Sequence, residues 1–495
     1  MVTIINKEKY RPHYHFSPKD NWMNDPNGMV FFNGEYHLFY QYHPYGTTWG
    51  PMHWGHAVST DLVEWEHYPI ALAPDEHGVI FSGSAVVDWK DSSGFFVGKP
   101  GLVAIFTHHC HPAGSRAHQR QSLAYSLDSG RSWIKYEGNP VLENERFVDF
   151  RDPKVFWHKP TEQWVMILAS GQTVCIYNSP NLKDWTFASE FGEGIGSHDG
   201  VWECPDLFPL SVDGDPSKTK WVMFVSIGSS PEFSEGSRTQ YFLGDFDGKT
   251  FVNDGEADTV RWLDHGRDNY AGVSWSDIQE EDGRRIYIGW MSNWKYANQT
   301  PTEGWRSAMT LPRELSLESR NGEITLIQRP VRELEKQRVP VFSIKEISME
   351  EARARLSELR LNSYEIVAEL ETGTAEAFGF KVRASADQET VIGYLSQSSE
   401  LFVDRTRSGQ TDFHEDFAGR HGVKLEPVNG RIQLRAYVDC SSVEVFAGDG
   451  QAVITDLIFP EPDAKGVEVY AAGGSINLHS LEIYTLRPIK GEVAV

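Results

Sequence analysis

The chain of 495 residues carries 46 Lys and Arg against 70 Asp and Glu, a formal charge of −24. That length exceeds what one hydrophobic core organises and implies roughly two to four domains, while a surface of that sign repels phosphate backbones and anionic lipid and argues against nucleic acid as a partner. Apolar runs such as Leu102–Phe106 fall far short of the roughly 20 residues a membrane-spanning helix needs, so no membrane association is expected.

At the N-terminus, Met1-Val-Thr-Ile-Ile-Asn-Lys-Glu-Lys-Tyr10 holds a short apolar patch followed by charges, which lacks the apolar core of a secretory signal and sets the expectation of a cytoplasmic protein. The cysteines, Cys110, Cys175, Cys204 and Cys440, show no CxxC pairing; reduced thiols are expected, with no disulfide framework and no thiolate metal site.

From residue 34 onward, short runs of strand character, Gly34–Tyr42 and Gln163–Ala169 among them, are punctuated by Gly, Asn, Asp or Pro, as in all-β folds. A weak repeat runs through them. Ser59-Thr-Asp-Leu-Val-Glu-Trp65, Ser126-Leu-Asp-Ser-Gly-Arg-Ser-Trp133 and Ser179-Pro-Asn-Leu-Lys-Asp-Trp185 begin 67 and 53 residues apart, and Gly244–Phe251 resembles a degenerate fourth copy. Such periods fit four-stranded propeller blades with generous loops; ordinary hairpin chemistry is the alternative.

Around Pro330–Pro340 the aromatics thin out and charges cluster, which reads as a linker. Ser348, three residues before Glu351, opens a short helix with a capping box. Alternation resumes in Tyr364–Leu370, Arg431–Val438, Ser442–Phe446 and Gly466–Tyr470, the pattern of a β-sandwich. The expected organisation is a propeller over 1–335, a linker with a short helix over 336–360 and a sandwich over 361–495.

Three acids stand in matching surroundings: Asn24-Asp25-Pro26, Arg151-Asp152-Pro153 and Glu203-Cys204-Pro205, separated by 127 and 51 residues. A proline forces the residue before it into extended geometry and removes a ladder donor, as at the mouth of an inner strand. Near-blade spacing would bring all three to one axial funnel, and two carboxylates flanking a glycosidic bond are the minimum for hydrolysing it.

The motif Trp22-Met-Asn-Asp-Pro-Asn-Gly28, with Arg151-Asp152-Pro153 and Trp202-Glu-Cys-Pro205, resembles glycoside hydrolase family 32, the β-fructofuranosidases that include invertases, levanases and exo-inulinases. Gln41-Tyr42, Trp54-Gly-His-Ala57, Phe81-Ser-Gly-Ser84, Ser292-Asn-Trp294 and Leu311-Pro-Arg-Glu314 follow in family order, and Val403–Gly409 and Asp439–Glu444 resemble its C-terminal sandwich.

The resemblance implies a five-bladed β-propeller followed by a β-sandwich, and cofactor-free hydrolysis of terminal β-fructofuranosyl units of sucrose and fructans with retention of configuration. Asp25 would be nucleophile, Glu203 acid and base, and Asp152 the stabiliser, kept ionised by Arg151. Asn24, Gln41, Trp49, Phe81 and Ser82 would line the fructose pocket, and Trp294 would close its aromatic wall. Where the family often shows an Asp-Phe-Tyr-Ala-like segment this chain has Asp268-Asn-Tyr-Ala271, which puts the contact there in question. The alternatives are a fructosyltransferase or endo-acting fructanase using the same acids, or a non-catalytic sugar-binding propeller. No metal is expected at His108-His109-Cys110-His111, because neighbours on a strand face opposite ways.

Overall fold

A computed structural model describes residues 8–487 except 112–115, 145, 232 and 321. Residues 1–7 of the N-terminal segment read above for a signal therefore lie outside the described residues. Among the latter, no helix is long and apolar enough to cross a membrane, and the one α-helix is Met349–Leu356. Ser348 caps it as its sequence requires, accepting a hydrogen bond from the Glu351 amide at 3.2 Å.

The N-terminal part is built of antiparallel sheets. The first holds Asn21–Phe32, Glu35–His43, His53–Ser59 and Glu66–Leu72; the second Val79–Asp88, Gly101–Cys110, His118–Ser126 and Ile134–Lys135; the third Arg151–His158, Gln163–Ser170, Thr173–Ser179 and Thr186–Phe191. A ten-stranded sheet follows. It joins the run from Trp202–Val212 to Phe251–Asn253 with a second run that includes Tyr270–Ser274, Arg285–Met291 and Arg313–Arg320, through a single parallel pairing of Val212 with Leu317. The strands Asn21–Phe32, Val79–Asp88, Arg151–His158, Trp202–Val212 and Tyr270–Ser274 touch in turn, and the last returns to the first. Trp305–Arg306 pairs in parallel with the start of Asn21–Phe32, fastening the end of this region to its beginning.

The sequence repeat has one structural meaning. In each full copy it is the turn between the third and fourth strands of a sheet, where an Asp or Asn side chain caps the amides that follow: Asp61 accepts from Val63 and Glu64, Asp128 from Ser132, and Asn181 from Lys183 and Asp184. The tryptophan then folds back onto the turn, its Nε1 donating to the carbonyl of Leu62, Gly130 or Leu182. In the degenerate copy, between Arg238–Phe246 and Phe251–Asn253, Asp247 likewise accepts from Lys249 and Thr250.

The C-terminal part is a two-sheet sandwich. A six-stranded sheet (Arg338–Ile347, Asn477–Leu486, Tyr364–Glu371, Arg431–Val438, Ser442–Ala447, Ala452–Leu457) faces a five-stranded one (Arg420–Lys424, Glu400–Arg407, Glu389–Leu395, Ala377–Ala384, Gly466–Ala472) across a core that includes Ile366, Phe380, Val403 and Leu481. One expectation needs correcting. Within 336–360, read as a linker, Arg338–Ile347 is the edge strand of the six-stranded sheet; it pairs on one side only and stays largely exposed, so its charges and few apolar anchors resemble those of a connector.

Sandwich and propeller are joined by buried ionic contacts. The His15 ring lies between Asp439 and Glu444, each at 2.8 Å. Arg313 binds Glu444 at 2.7 Å and Asp264 at 3.0 Å; Arg405 binds Asp268 and donates to the Tyr296 hydroxyl at 2.9 Å. The two C-terminal motifs singled out in the sequence, Val403–Gly409 and Asp439–Glu444, thus supply Arg405, Asp439 and Glu444 to this interface.

Candidate active site

Each acid-proline motif sits in a break of the ladder. Register shifts separate Met23 from Pro26, Glu203 from Asp206, and Ile167 from Ala169 opposite Arg151–Lys154; a fourth lies between Ile80 and Gly83, around Ser82. The prolines remove a ladder donor without ending the pairing. Pairing resumes beyond each bulge, and the unpaired residue is turned out of the sheet. Asp152 and Cys204 take positive φ, 63° and 45°, a conformation that non-glycine residues hold only where their surroundings fix it. Gly28, which ends the first motif, also has positive φ, and a Cβ there would lie 2.5 Å from the Phe39 ring, so only glycine fits.

These bulges gather the three carboxyls. Asp25 accepts from Asn24 Nδ2 at 2.9 Å and from Ser82 Oγ at 2.7 Å. Asp152 accepts from the Cys204 amide at 3.0 Å. The Cys204 thiol lies between the two aspartates, 3.6 Å from Asp25 Oδ2 and 3.5 Å from Asp152 Oδ2. Burial and the neighbouring carboxyl charges push its pKa well up, so it stays a thiol and can donate to a carboxylate beside it. Glu203 accepts from Arg151 Nη2 at 2.8 Å and, on its other oxygen, from the Tyr270 hydroxyl. Burial and the Glu203 charge hold the Tyr270 phenol protonated.

Burial raises Asp25 above the ordinary carboxylate range, opposed by the Asn24 hydrogen bond and assisted by the Glu203 charge. Asp152 is pushed up to about 7, by burial first; Arg151 opposes, while Glu203 and Asp25 add to the rise. The expectation that Arg151 keeps Asp152 ionised is therefore corrected. Its guanidinium is 3.9 Å from Asp152 but engages Glu203 and Asp149 directly, and its charge does not outweigh desolvation.

The other sequence-predicted residues surround this cluster. Asn24 also accepts from Trp22 Nε1 at 2.7 Å. Gln41 is buried and donates to Asn27 at 2.8 Å. Trp49 is 46% exposed and meets Phe81 edge-on at 6.2 Å. Trp294 stacks on Trp22, which lies on the strand that carries Asp25, at 5.9 Å. Asn24, Asp25, Ser82, Arg151, Asp152 and Glu203 are linked directly or through Cys204; Gln41 and the rings of Trp49, Phe81 and Trp294 reach the group through neighbours.

The sequence assigns no site role to Tyr270, Cys204 or His109. His109 lies flat on Phe81, with centroids 4.3 Å apart, and burial with the nearby Arg151 charge lowers its pKa to about 4, leaving it neutral. Its neighbour His108 points away, to Ser122 and Asp75. In Asp268-Asn-Tyr-Ala271 the acid turns to Arg405 and the tyrosine to Glu203, so the departure at Asn269 leaves the carboxylate contact intact. Asn269 itself bonds Asp264 and Tyr287.

An all-β scaffold that collects carboxyls, their donors and aromatic rings at one strand mouth is that of a glycoside hydrolase. The model of the glycosyl hydrolases family 32 N-terminal domain matches residues 15–330 and that of the family's C-terminal domain matches residues 333–485: the chain belongs to glycoside hydrolase family 32. It is 54% identical over 489 residues to a levanase of Bacillus subtilis (strain 168), covering 98% of this chain and 71% of the levanase. To a levanase of Bacillus sp. (strain L7) it is 42% identical, covering 97% of this chain but 53% of that protein. Among solved structures, the exo-inulinase from Aspergillus awamori superposes with a TM-score of 0.89 at 37% identity, covering 97% of this chain and 99% of the inulinase.

Proposed function

We propose that the protein is a retaining, exo-acting β-fructosidase that removes terminal β-fructofuranosyl units from fructans and sucrose. The observation that carries the reading is the carboxyl cluster itself, Asp25 and Asp152 on either side of the Cys204 thiol and Glu203 held between Arg151 and Tyr270. The levanase and exo-inulinase relatives support the substrate class. We read the ten-stranded sheet as two blades bridged at Val212–Leu317, which makes the propeller five-bladed; the closed ring of inner strands supports that count.

In this reading Asp25 attacks the anomeric C2. Asn24 and Ser82 orient its carboxylate and hold it as an anion, which offsets part of the burial that makes it basic. Glu203 gives its proton to the departing oxygen and then takes one from water. Both of its neighbours are donors, which suits the carboxylate form that begins the second step. Asp152, protonated up to about pH 7, offers either a donor or an acceptor to the hydroxyls beside C2. The acids occupy inner strand ends, whereas the exposed Trp49 stands on the loop outside, so the terminal sugar is fixed while the leaving group meets loops and is tolerated broadly.

Digestion of sucrose, inulin and levan in parallel tests the reading. Fructose as the first product from all three, released as the β-anomer, is the expected result. Early difructosides from levan, an α-anomer, or transfer to sugar acceptors in place of water would each overturn part of it.

A further inference from the structure

At the opposite end of the same inner strands lies a cavity of about 1010 Å³. Asp25, Ser82 and Asp152 stand near the starts of their strands, whereas Phe32, Val87 and Trp157, which line this cavity, stand near the ends. Five to seven residues of strand separate the two sets, roughly 17–23 Å at about 3.3 Å per residue. The cavity is thus a separate feature on the far mouth of the propeller.

Its walls include fixed aromatic rings. Trp89 is 57% exposed, yet its position is set: Nε1 donates to Asp277 Oδ1 at 2.8 Å and the ring meets Phe32 edge-on at 6.1 Å. Trp157 packs edge-on against the buried Trp164 at 5.2 Å, and Trp164 is tied to Ser92 at 2.9 Å. A large exposed tryptophan held in one orientation is not needed to complete a core, and rings placed in advance lower the ordering cost of binding.

Some of the charges around the cavity are held within its wall. Asp88 accepts from the amides and hydroxyls of Ser92 and Ser93. Asp277 is bonded to Trp89 and to the Val87 amide at 2.9 Å, and Lys159 pairs with Glu280 on the rim. Lys90 lies over the Trp157 ring at 5.4 Å. What remains to be offered is flat aromatic surface bordered by the exposed carboxylates of Glu162 and Glu281, acceptors for hydroxyl groups, which suits a neutral polyhydroxylated ring rather than an anion or an apolar ligand.

We propose that this far mouth is a second, non-catalytic sugar site that holds a stretch of fructan chain while the terminal residue of a chain occupies the carboxyl cluster. The choice of fructan among neutral oligosaccharides rests on the function proposed above; the site itself rests on the cavity. Tethering a polymer at a second point raises its effective concentration at the first, so the site should matter for long chains and not for sucrose.

The test uses the full chain. In an Asp25→Asn background, calorimetric titration with an inulin-type oligosaccharide should show two binding events, and adding Trp89→Ala should remove one. In the active enzyme, Trp89→Ala should raise KM for soluble inulin and levan roughly three- to tenfold, the scale of one lost aromatic contact, with kcat/KM for sucrose unchanged; that unchanged value also reports correct folding. Should Trp89→Ala fail to fold, Gln279→Arg, on the exposed rim, obstructs the same cavity and should act in the same way. A single binding event, an unaltered KM for both polymers, or occupation of this mouth by an oligolysine peptide in place of fructan would overturn the proposal. Failure of the fructosidase reading would look different: the wild-type enzyme would release no fructose from any of the three sugars.

Discussion

The Tyr270 hydroxyl donates to Oε2 of Glu203, while two residues earlier Asp268 receives Arg405 from the sandwich. One tetrapeptide therefore carries both a carboxylate contact and a domain-interface contact. Tyr270→Phe keeps the ring and the packing of a fully buried residue and removes only the donor. Because a hydrogen bond to a charged group contributes about 1.5–3 kcal/mol, kcat on sucrose should fall roughly tenfold or more with KM little changed. An equal rise in KM, with kcat preserved, would mean that the phenol touches sugar instead of acting through Glu203.

The roles of Asp25 and Glu203 separate by leaving-group chemistry. An activated aryl fructoside needs little protonation of its leaving oxygen, so Glu203→Ala should retain far more of the first step on that substrate than on sucrose. Asp25→Ala should abolish both. Added azide should restore turnover to Glu203→Ala, because a small anion replaces the water that the missing base would activate. Equal losses on the two substrates would remove Glu203 from the role of acid.

Much of this site was legible because its chemistry is written locally. An acid before or near a proline, in a chain of short strands, marks where a ladder must break, and all three breaks carry a carboxyl. The Ser-x-Asp-x-x-x-Trp turn was likewise readable, since side chain and capped amides lie within four residues of one another. The roles of Tyr270, Cys204 and His109 were not, because each acquires its partner from a strand other than its own. The Asp152 protonation was misread for a related reason: sequence adjacency put Arg151 beside it, whereas the bulge turns the guanidinium toward Glu203 and leaves burial to decide. The edge strand Arg338–Ile347 was taken for a linker because one-sided pairing imposes almost no apolar pattern.

Asp152 also makes a stability prediction. Its pKa is raised from 3.8 to about 7 in the folded protein, so the native state binds a proton that the unfolded chain has already lost. Stability therefore falls as pH rises from about 4 to about 7 through this group, and stays reduced above that window. Asp152→Asn should remove this loss. Thermal unfolding at pH 5 and pH 8 should show a smaller gap between the two values in the variant than in the wild type, together with severe loss of activity. An unchanged gap would show that the carboxyl is ionised throughout.

At the domain interface the sign is the opposite. His15 is raised from 6.5 to about 9 by its bonds to Asp439 and Glu444, against the burial that lowers it, so its contribution is fully present below pH 6.5 and is lost as pH climbs through 9. Asp439 is depressed by the same ring, and its contribution is present above about pH 4 and is lost on further acidification. The two windows overlap between about pH 4 and 6.5, where the network holds propeller and sandwich together most firmly. His15→Gln leaves the buried Asp439 without its cation and Glu444 with Arg313 alone, a change of the kind that costs about 3–5 kcal/mol. The variant should unfold at a markedly lower temperature at pH 6, and its loss of stability between pH 6.5 and 9 should be shallower than that of the wild type, because the titrating group is gone. The parallel measurement is activity at 25 °C and pH 6, where the carboxyl cluster is untouched and kcat per folded molecule should be retained. A variant that matches the wild type in unfolding temperature across the whole range would show that Arg313 alone neutralises Glu444, and that the His15 contact contributes nothing to the union of the two domains.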